Sequence, residues 1–67
     1  MSTVARVTEI SATSEKGFED AIRAGVERAS ATLRQVTSAW VKEQRVEVQD
    51  GKVARYQVNL LVTFVLE

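Results

Sequence analysis

Two long runs of β-forming residues flank an Asp-Gly pair near the end of the chain, and this pattern constrains the fold more than any other feature. The segment QDGK at 49–52 is typical of a two-residue hairpin turn, because Asp-Gly tolerates the positive backbone angles of a tight turn. If Asp50 and Gly51 form the turn, the numbers of paired residues add up to 101. This rule predicts the pairs Ala39–Val62, Trp40–Leu61, Val41–Leu60 and Glu43–Val58.

The two faces of the predicted hairpin differ in character, because side chains alternate along a strand. One face is largely apolar and suits contact with a helix; it carries Ala39, Val41, Glu43, Val58, Leu60, Val62, Phe64 and Leu66. The opposite face carries the only tryptophan of the chain among polar and small neighbours: Trp40, Lys42 and Gln44 beside Gln57, Asn59, Leu61 and Thr63.

Apolar residues before the hairpin are spaced by three and four, which predicts an amphipathic helix from about Glu15 to Gln35. Ser14 or Thr13 can accept a hydrogen bond from a free amide at the start of this helix. Gly25 lies within the apolar stripe, and we expect it to permit close approach to a sheet, since glycine otherwise costs about 1 kcal/mol in a helix. Residues 4–11 alternate imperfectly and suit a short strand.

The predicted elements define an α+β chain with the order β-α-β-β. A helix that connects two parallel strands by a right-handed crossover places the last strand at the centre of a three-stranded antiparallel sheet wrapped around the helix. The helix can cover only one face of that sheet. The length of 67 residues predicts a single domain spanning residues 1–67, which would be marginal alone.

The composition excludes several classes of function. The chain contains no cysteine and no histidine, which removes disulfides, thiolate metal sites and the commonest general base. Nine basic and nine acidic residues argue against nucleic acid as a partner. No apolar run reaches the length of a membrane span, and no signal peptide is evident, so we expect a cytoplasmic protein. Oligomerisation is then the expected source of additional stability, and no catalytic constellation is present.

The segments TSEKGFEDAIRAGVERASATLR (13–34) and ARYQVNLLVTFVLE (54–67) resemble the dodecins over nearly the whole chain. The resemblance implies the same β-α-β-β fold and a hollow homododecamer. It also implies pairwise binding of a flavin (FMN, riboflavin or FAD) between subunits, for storage or buffering and not for catalysis. In the family a tryptophan on the second strand stacks on the flavin ring, and a glutamine after a tyrosine hydrogen-bonds to its polar edge.

The resemblance assigns the glutamine role to Gln57 directly, whereas the stacking position falls on Ser38. Trp40 lies two residues later, on the same face but about 7 Å further along the strand. Trp40 is either a platform for a flavin ring or an anchor against a neighbouring subunit. Gln57 either contacts ligand or bonds across the sheet, for example to Gln44.

Two interpretations of the function therefore remain. In the first, the site residues for flavin are Ser38, Trp40, Gln44, Arg45 and Gln57. Arg45 and Lys42 could bind a flavin phosphate or another anion, or form salt bridges at a subunit contact. In the second, the assembly lacks flavin and has a structural role or binds ions or another small ligand. Glu43 and Glu47 are a weak indication of a cation site, because calcium needs more oxygen ligands than two carboxylates.

Overall fold

A computed structural model describes residues 2–66 of the chain, and it has the predicted order of elements. Strand β1 spans Ala5–Ser14, helix α1 Phe18–Thr32, strand β2 Val36–Gln49 and strand β3 Lys52–Val65. The sheet order is β1-β3-β2, and β3 is antiparallel to both neighbours. The predicted α+β fold and the central position of the last strand are therefore confirmed. Within the described part of the chain, no helix is long and apolar enough to cross a membrane.

The turn between β2 and β3 forms where the sequence predicted it. Asp50 and Gly51 have positive φ angles of 54° and 76°, as a turn of this kind requires. Trp40 pairs with Leu61, so that predicted pair is confirmed. Two further predicted pairs are confirmed, and they are Ala39–Val62 and Val41–Leu60.

The predicted pairing holds next to the turn but fails over residues 43–47, because Ala54 of β3 is unpaired between Val53 and Arg55 and β2 has a second irregularity between Val41 and Glu43. Lys42 is an extra residue there, and a β-bulge of this kind places two residues opposite one on the partner strand. Glu43 consequently pairs with Asn59 and not with Val58. The prediction that Glu43 faces the helix was wrong.

Helix α1 is shorter than predicted at both ends, because its cap residues Gly17 and Leu33 have an extended backbone. Ser14 belongs to β1, and its hydroxyl accepts hydrogen bonds from the amides of Lys16 and Gly17 at 2.9 and 3.4 Å. The same hydroxyl donates to Asp20 Oδ2 at 2.7 Å. Ser14 thus satisfies amides of the turn before the helix, whereas Gly17 is the N-cap and makes no side-chain capping bond. β1 in turn extends beyond the predicted residues 4–11.

The core lies between α1 and the face of β3 that carries Val58, Leu60 and Val62, all at most 1% exposed. On the helix the most buried residues are small: Ala21, Gly25 and Ala29. A Cβ atom on Gly25 would lie 2.9 Å from Leu60 Cδ1, which confirms that glycine allows the helix to approach the sheet. Ile22 and Val26 also pack against the core, as partly buried residues.

Candidate functional site

The sheet face that helix α1 does not cover, which we call the outer face, carries the residues of interest. Its side chains follow from the register of β3 with its two neighbours. Four rows cross the face from β1 to β2, and they are Val7–Thr63–Ser38, Glu9–Leu61–Trp40, Ser11–Asn59–Glu43 and Thr13–Gln57–Arg45. Trp40 is 52% exposed, so within one chain its indole is only half covered.

The surroundings of Trp40 combine an apolar base with polar flanks. Leu61 pairs with Trp40, and Lys42 Nζ reaches across to Glu9 Oε1 at 3.2 Å. In the row on the other side, the hydroxyl of Thr63 is buried and has no partner among the described residues. A buried hydroxyl without a partner is unfavourable. Trp40 therefore lies between an ion pair and a hydroxyl that lacks a hydrogen bond.

A chain of hydrogen bonds crosses the neighbouring part of the outer face. Arg45 Nε donates to Gln57 Oε1 at 2.9 Å. Gln57 Nε2 donates to Ser11 Oγ at 3.0 Å and to Asn59 Oδ1 at 3.3 Å. Asn59 Nδ2 then donates to Glu43 Oε1 at 3.3 Å. A shallow cleft of about 250 Å³ lies here, and it is lined by Glu43, Gln44, Arg45, Gln57 and Asn59.

The direction of this hydrogen-bond chain follows from the chemistry of its ends. A guanidinium group only donates, and an ionised carboxylate only accepts. The oxygen of Gln57 must therefore face Arg45, and the amino group of Asn59 must face Glu43. Reversing either amide would place two donors or two acceptors against each other. The amide orientations are consequently determined from both ends of the chain.

The structure brings four of the five sequence-predicted site residues onto the outer face: Ser38, Trp40, Arg45 and Gln57. Gln44 is the exception, because the bulge makes it pair with Val58, whose side chain lies on the helix side. Its predicted place beside Trp40 was wrong. The bond partners of Gln57 are Arg45, Ser11 and Asn59, and Gln44 is not among them.

Three residues of the polar chain were not predicted as flavin-site residues: Ser11, Glu43 and Asn59. Glu43 was assigned to the wrong face because no sequence feature marks the bulge. Asn59 was correctly placed on the outer face, but an asparagine within a β-run gives no indication of its partners. Ser11 belongs to β1, whose register with β3 was not predicted.

The two carboxylates that the sequence suggested as cation ligands, Glu43 and Glu47, both accept hydrogen bonds from other side chains in the structure. Glu47 accepts a hydrogen bond from Arg55 Nε at 3.1 Å, while Glu43 accepts one from Asn59. Residues 2–66 contain no group of three or more acidic side chains arranged to hold a metal ion.

The fold and the outer face together define a class of small α+β proteins, in which one helix packs against a three-stranded antiparallel sheet and the exposed sheet face carries aromatic and polar side chains. Within this class the chain belongs to the dodecin family, because the family's sequence model matches residues 4–67. The dodecin of Thermus thermophilus is 43% identical over 67 residues, which cover 100% of this chain and 97% of that protein.

Solved dodecin structures agree with this assignment. The dodecin from Streptomyces davaonensis superposes with a TM-score of 0.93 at 40% identity, covering 100% of this chain and 98% of that one. A more distant match is a calcium dodecin from Mycobacterium tuberculosis, described as a calcium-chelating antigen with a novel calcium-binding site. Its TM-score is 0.82 at 32% identity, covering 96% of this chain and 91% of that one.

Proposed function

We propose that this protein is a non-enzymatic, cytoplasmic flavin-binding protein. In this proposal residues 1–67 form one domain, and twelve copies form a hollow homododecamer that stores or buffers flavin between subunits. The observation that carries the proposal is the half-exposed indole of Trp40 on a sheet face that the chain's helix leaves uncovered. A large flat π-face suits stacking on a flat heterocycle, and membership of the dodecin family supports this ligand class.

Self-association is supported by apolar side chains that one chain cannot bury. The β2–β3 hairpin extends past the start of α1, and Val46, Val48 and Val53 are 39%, 63% and 49% exposed there. These three side chains lie on the helix side of the sheet but past the end of the helix, so the helix does not cover them. A closed assembly would bury such surface and add the stability that a chain of this size lacks.

The outer face fits a flavin in its chemistry. The flavin ring needs an apolar stacking partner, and Trp40 with its neighbour Leu61 supplies one. The polar edge of the ring needs hydrogen-bonding groups, which the neighbouring rows of the outer face supply. The partnerless hydroxyl of Thr63 is a further polar atom that a ligand could satisfy. Because FMN, riboflavin and FAD share the isoalloxazine ring, the ring-binding residues apply to all three. When bound, the flavin would supply a redox-active ring that stacking shields from solvent.

Titration of riboflavin with the assembled protein tests the proposal. Stacking on the indole should quench flavin fluorescence. The change Trp40→Ala should abolish quenching while leaving the particle size unchanged in analytical ultracentrifugation. Val7→Ala, which also removes exposed apolar surface from the outer face, is the matched control and should leave quenching intact. Absence of quenching with the unmodified protein would refute flavin binding, and a monomer at micromolar concentration would refute the assembly.

A second candidate function is a dodecin-like assembly without flavin, in which Trp40 anchors a neighbouring subunit. The observation that favours it is that Ser38 occupies the position expected for the stacking tryptophan. In that case Trp40→Ala would reduce the particle size, and riboflavin fluorescence would remain unquenched with the unmodified protein. Calcium binding is a further form of this alternative, for which isothermal titration with Ca²⁺ is the direct assay.

A further inference from the structure

Helix α1 and the edge strand β1 enclose an open groove of about 600 Å³, which we call the α1–β1 groove. Its lining is mostly small or apolar and includes Ile10, Ala12, Gly25 and Ala29. Arg28 is the one charged residue of this lining, and it forms no ion pair within the described part of the chain. The groove therefore offers an apolar surface beside a cation that has no carboxylate partner.

The far end of the β2–β3 hairpin, residues 46–53, has the complementary character, and we call it the hairpin end. It carries three exposed valines on its helix side, Val46, Val48 and Val53. The turn residue Asp50 is exposed and forms no ion pair among the residues that the structure describes. Apolar side chains and an anion therefore lie together here, where the groove has an apolar surface and a cation.

The hairpin end of a chain cannot enter the groove of the same chain. Ile10, in the groove, pairs with Leu60 of β3. Leu60 is seven residues from Val53, or about 23 Å along the strand. The hairpin between them is a paired ladder, which would have to break in order to fold back. The occupant of the groove must therefore come from a second copy.

A second groove lies on the other side of the helix, between α1 and β2, and it suits the hairpin end less well. Its volume is about 260 Å³, and its lining includes Ile22, Val26 and Ser30 but no charged residue. A hairpin end that carries Asp50 would find no cation there. Charge complementarity favours particular orientations and partners at an interface, so it selects the α1–β1 groove.

Resting on the homo-oligomer proposed above, we propose that the hairpin end of one copy docks in the α1–β1 groove of the next copy. The valines cover the apolar lining, and Asp50 pairs with Arg28. Lys52 does not oppose this pairing, because it alternates with Val53 and lies on the outer face. The two copies contribute different surfaces to the contact, and a contact of this kind closes into a ring when the rotation between copies allows it.

Filling each groove separately tests which of them receives the hairpin end. Ala24 lines the α1–β1 groove and Ser30 lines the groove beside β2, and both residues are exposed on the helix. Ala24→Phe should block docking and raise the dissociation constant of the particle roughly tenfold or more. Ser30→Phe is the matched control, with the same new side chain on the same helix, and should leave the dissociation constant unchanged.

A double-mutant cycle tests the ion pair by changes that are unlikely to disturb the fold of one chain. Arg28→Gln removes the cation, and Asp50→Asn removes the anion while keeping a residue that tolerates a positive φ. Each change alone should raise the dissociation constant about two- to fivefold. The two changes together should raise it no more than one of them alone, because the second removes a partner from a pair that is already broken.

The decisive measurement is sedimentation of the unmodified protein and these variants over a dilution series, with circular dichroism to check that each variant keeps its helix. A particle that Ser30→Phe dissociates and Ala24→Phe leaves intact would overturn the inference and assign docking to the groove beside β2. Independent effects of Arg28→Gln and Asp50→Asn, or no effect of either, would also overturn it. A monomer of the unmodified protein at micromolar concentration would instead refute the proposed homo-oligomer itself.

Discussion

Replacing Gly25 by alanine tests the contact between helix and sheet, because two effects of known sign oppose each other there. Alanine is favoured over glycine in a helix interior by about 1 kcal/mol. Against this, the new Cβ would lie 2.9 Å from Leu60 Cδ1 and 3.2 Å from Ala12 Cβ. The Leu60 methyl belongs to a side chain that is 1% exposed, and the Ala12 Cβ is attached directly to the backbone of β1. Neither can move away without repacking.

The magnitude follows from setting the two effects against each other. Overpacking a core typically costs about 1–3 kcal/mol. After subtraction of the helix-propensity gain, Gly25→Ala should lower the free energy of unfolding by about 1 kcal/mol. The assay is urea unfolding followed by Trp40 fluorescence, at one fixed protein concentration, because oligomerisation makes apparent stability depend on concentration.

Two further variants make the assay specific. Ala24→Gly changes an exposed neighbour on the same helix and reports the propensity difference without any packing change. Leu60→Val removes the methyl that Gly25→Ala would meet, so the two changes together should cost less than the sum of their separate effects. If Gly25→Ala instead stabilises the protein by the amount that Ala24→Gly costs, the close approach of helix and sheet described above is refuted.

Other predictions concern the core, the turn before the helix and the hairpin. Ile22→Ala should cost about 2 kcal/mol, the lower end for large-to-small changes, because the side chain is only partly buried; unchanged thermal stability would contradict the helix orientation. Ser14→Ala should cost about 1–2 kcal/mol, since it removes the partner of Asp20 and of two backbone amides; an unfolding midpoint equal to that of Thr13→Ala, the exposed neighbour, would argue against this role. Gly51→Ala should destabilise by about 1 kcal/mol through its positive φ, and a stability gain in urea would contradict the turn geometry.

Much of the fold was predictable because its determinants are local. The Asp50-Gly51 turn determines the hairpin register by chemistry that two residues carry. The predicted register holds next to the turn and, after two irregularities that offset each other, again from Val41 to Ser38. The pairing of Trp40 with Leu61 lies within that stretch, so the face of the indole was predicted correctly. The crossover rule then left one arrangement of strands, which the structure confirms.

The helix ends were less predictable, because hydroxyl and acidic residues before a helix serve more than one purpose. Ser14 has the side chain of a helix cap, yet it lies in β1 and bonds to amides before the helix begins. The chain needs those residues to leave the sheet and turn. Tertiary contact with Asp20 decides between the two roles, and a single sequence does not reveal that contact.

The candidate site was the least predictable part, because the unpaired Ala54 in β3 and the extra residue Lys42 in β2 displace the pairing of the residues between them. The residues around Lys42 give no indication of the bulge, since a bulge requires no glycine or proline. From Glu43 onward every residue of β2 up to Glu47 moves by one position against β3. The two irregularities together bring Arg45 opposite Gln57 and pair Gln44 with Val58.

The bulge itself can be tested by deletion. If Lys42 is the extra residue, deleting it should leave Val41 opposite Leu60 and Glu43 opposite Asn59, now in a regular ladder. Deletion of Gln44 would also allow a regular ladder, but Lys42 would then lie opposite Asn59 and Glu43 would move to the helix side, because a shift of one residue reverses the face. We therefore expect the Lys42 deletion to fold and to lose only the exposed ion pair with Glu9, so that urea unfolding should show a loss of at most about 1 kcal/mol. The Gln44 deletion should cost more stability, because it turns the Glu43 carboxylate toward the helix side and breaks its hydrogen bond with Asn59. The reverse result would show that the extra residue lies elsewhere in β2 and that Glu43 does not belong to the outer face.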